Sequence, residues 1–226
     1  MKLTLPTVLS LNAGYVDTAG FLALQGLFTA HVTGNFVTLG AALVFGSSGV
    51  VAKLAALPVF CLFVVLTRLA DRAFGDRANL ALRSLLGVKL LLLVLGAGLA
   101  IRFGPFANSD DWPAFSTGMV LVAAMAIQNA FHRIHLGNAP PSTLMTGSTT
   151  QIMLDLADLL AGLPAEKSAA AVARVRRMGL SVGVFALGCA AAAACYAAAD
   201  VWCFTLPPVL AALSLGLRVA EETKPA

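Results

Sequence analysis

A single carboxylate lies in the middle of the first apolar stretch of the sequence. Asp17 falls about midway along residues 6–28, which otherwise carry no charge. A bare carboxylate is costly in lipid, so it must be paired, protonated or beside water. Gly14 and Gly20, three residues to either side, lie on the same helix face and allow another helix or a ligand to approach closely. Lys89, in the middle of a later apolar stretch, is a candidate partner of opposite charge.

Asp17 has two interpretations that the sequence leaves open. Ionisable groups inside a membrane protein mark functional sites by default, which favours a site for a substrate or a coupling ion. An ion pair with Lys89 that holds two helices together is the structural alternative.

Two Thr-Gly turns form a second candidate site. Thr33-Gly34-Asn35 and Thr146-Gly147-Ser148 each open a short apolar segment. A helix start offers unpaired backbone N–H groups and a partial positive charge, so each turn is suited to holding an anionic or carbonyl oxygen. Thr, Asn and Ser are also ordinary N-cap residues and Gly permits a turn, so a purely structural role stays open.

Further polar side chains extend this set. Gln151, Asp155 and Asp158 fall on one helix face by their spacing, which indicates a wet interior face, although Asp158 alone fits a membrane interface. Gln128 and Asn129 are expected to point inward, because free amides would be unsatisfied in lipid. The predicted substrate- or ion-binding residues are therefore Asp17, Thr33, Gly34, Asn35, Lys89, Gln128, Asn129, Thr146, Gly147, Ser148, Gln151 and Asp155.

The sequence gives little sign of catalytic or metal chemistry. His132 and His135 have no third ligand at convincing spacing and are typical of a cytoplasmic helix end. No Gly-x-Ser-x-Gly, His-Glu-x-x-His or P-loop pattern is present, and the four cysteines fit small buried hydrophobic residues. We expect no metal, no cofactor and no nucleic-acid partner, since the basic residues form no stripe with interleaved aromatic residues.

The composition requires membrane helices to position these residues. Hydrophobic residues make up 59% of the 226 positions, charged residues 12%, and the mean hydropathy is +0.87. A soluble domain carries about a quarter charged residues, so the solvent against most of this surface must be the lipid bilayer. We predict an all-α, polytopic transmembrane helical bundle that forms a single domain over residues 1–226, with a first helix that is retained and not cleaved as a signal peptide.

Eight apolar segments supply the helices of this bundle. They cover roughly 6–28, 34–47, 52–70, 80–101, 113–133, 145–162, 175–199 and 201–219. A spanning helix needs about 20 apolar residues, so 34–47 is too short, and Asp155 and Asp158 shorten 145–162 in the same way. Whether these two segments span fully or are re-entrant stays open.

The loop charges favour one topology. The loops after the third and sixth segments are basic and should both be cytoplasmic, whereas Asp110 and Asp111 indicate an external loop. The two basic loops fall on one side only if one intervening segment does not cross. We therefore predict six crossings, two half-helices and cytoplasmic termini; eight full crossings would require one basic loop to break the charge rule.

The chain also resembles itself. Each half has a polar residue late in a long apolar helix, then a connector, then a Thr-Gly turn that opens a short apolar segment. We predict two repeats, at about 5–103 and 112–220, each with three spanning helices and one half-helix. An odd number of crossings inverts the second repeat, which is the plan of many transporters with a polar site at the repeat interface.

The blocks GYVDTAGFLALQGLFTAHVTGNFVTLG and AMAIQNAFHR…STLMTGSTTQIMLDLADLL resemble the bacterial YoaK-like membrane proteins, a family of unknown function. The resemblance runs over nearly the whole chain and implies a multi-pass protein of the bacterial inner membrane. The favoured function is a transporter or channel for an unknown small solute or ion. The alternatives are an intramembrane enzyme, which is less favoured, or a non-catalytic scaffold. Small residues at 190–194 suit internal packing or a homodimer.

Overall fold

The computed structural model describes residues 3–222, and the side chains of residues 3–218, so the first two and last four residues of the expected domain lie outside it. The described chain forms eight α-helices and two short 3-10 turns. The helices are α1 (Leu5–Ala23), α2 (Asn35–Phe45), α3 (Val50–Ala73), α4 (Ala78–Phe103), α5 (Trp112–His135), α6 (Met145–Leu160), α7 (Ala165–Ala199) and α8 (Leu206–Glu222). The turns are Val32–Gly34 and Asp200–Thr205.

The predicted all-α class is confirmed, and each of the eight apolar segments contains one helix. Three ends differ from the prediction. The first helix stops at Ala23 because Gln25 and Gly26 adopt positive φ and turn the chain back. The seventh begins ten residues early, since residues 165–174 are rich in Ala and good helix formers but too polar to count as apolar. The eighth begins only after Asp200, where a 3-10 turn precedes Pro207 in the first helical turn.

Helices α1 and α5 form the centre of the bundle. Both are buried along most of their length, with α7 packed along α1 and α3 packed along α5. Helix α4 packs on α5 and α8, which closes the bundle around the two central helices. Because α1 is enclosed by protein, it tolerates Ser10, Asn12 and Asp17, all of them buried.

Among the described residues, four helical stretches are long and apolar enough to cross a membrane by length and composition: α3, α4, α5 and the run Ala165–Arg218, which joins α7 to α8. Helix α1 is outside this group because of its polar residues, although its 19 residues measure about 28 Å. Six full crossings therefore stay a prediction.

The two short helices lie at the periphery. Helix α2 packs on α3 and α6 packs on α7, and both leave large apolar side chains such as Phe45 and Leu160 exposed. Both ends of the segment that contains α2 contact the loop between α4 and α5. Gln25 donates a hydrogen bond to the carbonyl of Ala107, and Asp110 accepts one from the backbone N–H of Gly49. With 11 residues, α2 is about 16 Å long, roughly half of a bilayer core.

Candidate functional site

Asp17 anchors the connector between α1 and α2, which comprises residues 24–34 and is called the first connector. Asp17 Oδ1 accepts hydrogen bonds from the backbone N–H groups of Thr29 at 2.8 Å and Ala30 at 2.7 Å. Asp17 Oδ2 lies 2.7 Å from His31 Nδ1. Since Asp17 lies six residues, about 9 Å, before the end of α1, these bonds fold the connector back along the helix.

The glycines beside Asp17 permit this packing, as the sequence predicts. A Cβ atom at Gly14 would overlap the backbone carbonyl oxygen of Phe185 on α7, and one at Gly20 would lie 2.8 Å from Thr29 Cγ2. Gly188 on α7 makes the same kind of close contact with the carbonyl of Leu11. Small residues therefore bring α7 and the first connector against the two sides of α1.

The side chain of Asn35 bonds to the first connector. Its Oδ1 accepts from the N–H of Phe28 and its Nδ2 donates to the carbonyl of the same residue, both at 2.8 Å. The side chain thus closes a loop of seven residues just before α2. At Asn35, therefore, the first Thr-Gly turn has the structural role that the sequence left open. Thr33 of the same turn is exposed.

The connector between α5 and α6, residues 136–144, is held in a parallel way and is called the second connector. Asn129 lies six residues before the end of α5, as Asp17 does in α1. Its Oδ1 accepts from Thr143 Oγ1 at 2.6 Å, and the neighbouring Gln128 donates from Nε2 to Ser142 Oγ at 2.9 Å. Both amides point inward, as expected.

Lys89 and Asp17 bind different partners, so the structure does not pair them. Lys89 is fully buried on α4, and its Nζ donates to Gln128 Oε1 at 2.5 Å. Gln128 Nε2 also donates to the carbonyl of Leu9 on α1 at 3.0 Å. Near this network, Asn12 is fully buried and its side-chain atoms have no hydrogen-bond partner among the described residues. The network joins α1, α4 and α5 at the centre of the bundle.

His31 is a functional candidate that sequence reasoning missed. Its ring packs edge-on against Phe185, with centroids 5.5 Å apart. The hydrogen bond to Asp17 is the largest influence on the pKa of His31 and raises it; burial opposes this, and the Asp17 charge and the Thr143 carbonyl raise it further. The available signal was position: His31 comes two residues before the first Thr-Gly turn.

Two cavities lie along the α1–α7 interface, at different positions along the two helices. The first, the Asp17 cavity, has a volume of about 460 Å³. The second, the Arg177 cavity, has a volume of about 450 Å³. The Asp17 cavity is lined by Asp17, Thr18, Phe21, Phe28, His31, Phe185 and Cys189. The Arg177 cavity is lined by Thr4, Pro6, Thr7, Ser10, Asn138, Ala139, Pro140, Arg177, Leu180 and Ser181.

The α1–α7 interface is tightly packed along the helices that line the two cavities. Ser10 Oγ and Ser181 Oγ, which line the Arg177 cavity, lie 3.0 Å apart across the interface, and Ser181 Oγ also lies 3.4 Å from the carbonyl of Pro141. Further along α1, a Cβ atom at Gly14 would overlap the carbonyl oxygen of Phe185, which lines the Asp17 cavity. The two helices are therefore in direct contact at both cavities.

The predicted residues on α6 lie in a separate place. Asp155 is buried, and Arg174 on α7 donates to both of its oxygens, at 2.7 and 2.6 Å, while Gln151 donates at 2.9 Å. The hydrogen bonds from Arg174 lower the pKa of Asp155 below its ordinary value. This cluster fixes α6 to α7. Asp158 is exposed.

The second Thr-Gly turn does not line the Asp17 cavity. Thr146 lines a third cavity of about 600 Å³ together with Thr149 and Thr150, and Gly147 is exposed. Ser148 is buried, with its hydroxyl bonded to the carbonyl of Leu144 within the first turn of α6. The structure thus groups Asp17 with His31 and the first connector, and neither Thr-Gly turn is among the residues that line the Asp17 cavity.

Comparison with known proteins identifies the family. The sequence model of a family described as "Protein of unknown function (DUF1275)" matches residues 5–217. A curated relative, the UPF0700 transmembrane protein YoaK of Bacillus subtilis (strain 168), is 30% identical over 165 residues, which are 70% of this chain and 68% of the relative. No solved structure matches. The chain belongs to the DUF1275 family and, with its apolar helices, is a membrane protein.

Proposed function

We propose that this member of the DUF1275 family transports a small solute or ion across the bacterial inner membrane, along the interface between α1 and α7. The observation that carries the proposal is the pair of cavities along these two helices, one lined by Ser10 and Ser181 and the other by Asp17 and Phe185, with close helix contact at Gly14. A closed barrier between two cavities is the arrangement that alternating access requires, since a transporter exposes its site to one side at a time.

The pairing of helices supports an inverted repeat in this transporter. Under the repeat, α1 corresponds to α5, and α3 corresponds to α7. Packing of α1 on α7 then matches packing of α5 on α3, and packing of α2 on α3 matches packing of α6 on α7. In both halves a polar side chain six residues before a helix end holds the following connector. In such transporters the site lies where the interrupted segments meet.

The residues that line the Arg177 cavity indicate which class of solute it would bind. Its lining offers the hydroxyls of Thr4 and Thr7, the amide of Asn138 and the guanidinium of Arg177, and none of its described lining residues is acidic. Within residues 3–218, Arg177 forms no ion pair. A cavity with positive charge and several donors favours a solute that carries a negative group, such as a small carboxylate, phosphate or sulfate.

Thiol labelling from each side of the membrane tests the path. The native Cys189 reports on the Asp17 cavity and a Ser10→Cys variant reports on the Arg177 cavity, with the other three cysteines replaced by Ala. A membrane-impermeant thiol reagent should reach residue 189 from one side and residue 10 from the other. Labelling of both thiols from one side, or of neither from any side, would contradict the proposed path.

Flux measurements test the transport itself. Proteoliposomes should take up one of a set of labelled carboxylates, phosphate or sulfate, and Arg177→Gln should slow uptake. The matched control is Arg176→Gln, because Arg176 is exposed like Arg177 but does not line the Arg177 cavity. Equal uptake by protein-free liposomes for the whole set would exclude anion transport.

A further inference from the structure

A further cavity, between α3 and α5, lies away from the α1–α7 interface. It has a volume of about 390 Å³ and is called the Arg133 cavity. Its polar lining residues are Arg68 on α3 and Asn129 and Arg133 on α5. The other described lining residues are apolar, and none is acidic. The cavity therefore combines positive charge with an apolar wall.

The two arginines of this cavity lie near the ends of their helices. Arg68 is five residues, about 8 Å, before the end of α3, and Arg133 is two residues, about 3 Å, before the end of α5. These ends lie side by side, because His135 Nε2 on α5 is 2.7 Å from Asp71 Oδ1 on α3. The loop after α3 is one of the two basic loops, so we expect both guanidinium groups at the cytoplasmic surface of the bilayer.

The apolar wall of the cavity runs from the arginines toward the middle of α3. Phe60, Val64 and Arg68 follow one another at four-residue spacing and share one face of the helix. Phe60 lies eight residues before Arg68, which places it about 12 Å further along the helix. Leu62 and Val65 beside this face are exposed, so α3 borders the bilayer here. A ligand from the bilayer can lie with one end at the arginines and an apolar part along α3.

Both arginines have hydrogen-bond donors to spare. Within residues 3–218, Arg133 forms no ion pair. Arg68 Nη1 donates to Asp71 Oδ2 at 2.9 Å, which uses one of the five N–H groups of its guanidinium. Asn129 has less to offer, because its side-chain oxygen and nitrogen each have a partner within the protein. The arginines are therefore the groups that would bind a ligand.

Comparison with the Asp17 cavity shows that a cation is not needed at the position of Arg133. Asp17 and Asn129 each bond to the residue 14 positions later. Phe21, four residues after Asp17, lines the Asp17 cavity, and Arg133, four residues after Asn129, lines the Arg133 cavity. The matching position thus holds an apolar ring in one half of the chain and a cation in the other.

We infer that the Arg133 cavity binds an anionic phospholipid. Arg133 and Arg68 bind the phosphate of the headgroup, and an acyl chain lies along Phe60 and Val64. Guanidinium groups bind phosphate oxygens through paired hydrogen bonds, and basic pockets between membrane helices on the cytoplasmic side suit anionic headgroups. Inorganic phosphate would contact only the arginine end, whereas a phospholipid fills the whole cavity, so the lining favours the lipid.

Native mass spectrometry of the full-length protein measures this binding. Dioleoyl phosphatidylglycerol should bind more tightly than dioleoyl phosphatidylcholine, which has the same acyl chains and no net charge. Arg133→Gln should weaken binding of the first phosphatidylglycerol about fivefold, and Arg68→Gln should act in the same direction. The matched control is Arg72→Gln, because Arg72 is exposed one turn after Arg68 on the same helix but does not line the cavity.

A second pair of variants separates a lipid from a free anion. Val64→Trp fills the apolar part of the cavity and keeps both arginines, so it should weaken binding of phosphatidylglycerol. Val65→Trp changes an exposed neighbour outside the cavity and should leave binding unchanged. Inorganic phosphate in large excess should not displace the lipid. Displacement by phosphate, or full binding in Val64→Trp, would overturn the assignment to a lipid.

The charge variants decide whether the cavity is a binding site at all. Equal affinity for the two phospholipids, or equal effects of Arg133→Gln and Arg72→Gln, would overturn the inference. Arg68→Gln also removes a bond to Asp71, so Arg133→Gln, which breaks no described ion pair, decides the result if Arg68→Gln is unstable. Two-sided labelling of residues 10 and 189 tests the α1–α7 path independently, since neither residue lines the Arg133 cavity.

Discussion

Removal of the Asp17 carboxylate should be the most destabilising single change to the first connector. The side chain accepts two short backbone bonds, from Thr29 and Ala30, and a third bond from His31. A hydrogen bond to a charged group contributes about 1.5–3 kcal/mol. Counting the two backbone bonds alone, Asp17→Ala should lower the free energy of unfolding by about 3–6 kcal/mol, because both buried N–H groups lose their acceptor.

Two further variants turn this estimate into an ordered series. Asp17→Asn keeps an oxygen for the backbone N–H groups but removes the charge, so it should cost about 2 kcal/mol, about 1 kcal/mol for each bond that becomes neutral. Asn129→Ala removes two neutral bonds, one from Thr143 and one to the Met125 carbonyl one turn earlier in α5; because the Met125 carbonyl lies within the helix ladder, the loss should be about 1 kcal/mol and come mainly from the Thr143 bond. The expected order of destabilisation is thus Asp17→Ala, then Asp17→Asn, then Asn129→Ala.

Reversible unfolding in mixed detergent micelles measures this series, with helical circular dichroism as the signal. Asp111→Ala is the control for loss of a carboxylate, since Asp111 lies before α5 and accepts a bond from the side chain of Asn108. If Asp17→Ala and Asp111→Ala destabilise the protein equally, the Asp17 carboxylate does not hold the connector.

Three other outcomes follow from the packing and charges. Gly14→Leu should cost about 3 kcal/mol or more, because the added atoms meet the backbone of α7, whereas Gly98→Ala, whose Cβ would meet nothing within 4 Å, should be neutral or slightly stabilising. Arg174→Gln should lower the melting temperature, since it leaves the Asp155 carboxylate buried without its cation; Arg176→Gln should not. Because the folded pKa of Asp155 is depressed, this contribution is present above the unfolded pKa and is lost as pH falls through the folded value, so acid should narrow the melting-temperature gap between Arg174→Gln and the parent.

Local features of the site could be predicted from sequence because local chemistry decides them. The carboxylate of Asp17 has to be satisfied within an apolar helix, and the glycines three residues away permit close packing whatever element arrives. The inward orientation of Gln128 and Asn129 follows from the cost of unsatisfied amides in lipid. In the structure both glycines lie against neighbouring elements, and both amides bond to the second connector.

The choice of partners could not be predicted, because it depends on where chain segments run in space. Lys89 has the charge to pair with Asp17, yet α4 packs on α5 and α8, and this places its ammonium at Gln128. Sequence spacing contains no information on that packing. The place of His31 depends on how the first connector folds back, and its ring packs against Phe185, a residue 154 positions later in the chain. Long-range contacts of this kind also define both cavities.

The two connectors differ in one way that bears on function. The second is held at Asn129 by a neutral amide and a hydroxyl, with a bond of 2.6 Å. A carboxylate and an imidazole are therefore not required to hold a connector at this position, and the charge in the first connector exceeds the structural need. A double variant, Asp17→Asn with His31→Thr, copies the neutral arrangement. If the neutral arrangement is sufficient to hold the connector, this variant should fold with a loss of stability no greater than that of Asp17→Asn, measured by unfolding in mixed micelles. A larger loss of stability would mean that the first connector needs the charged side chain of Asp17.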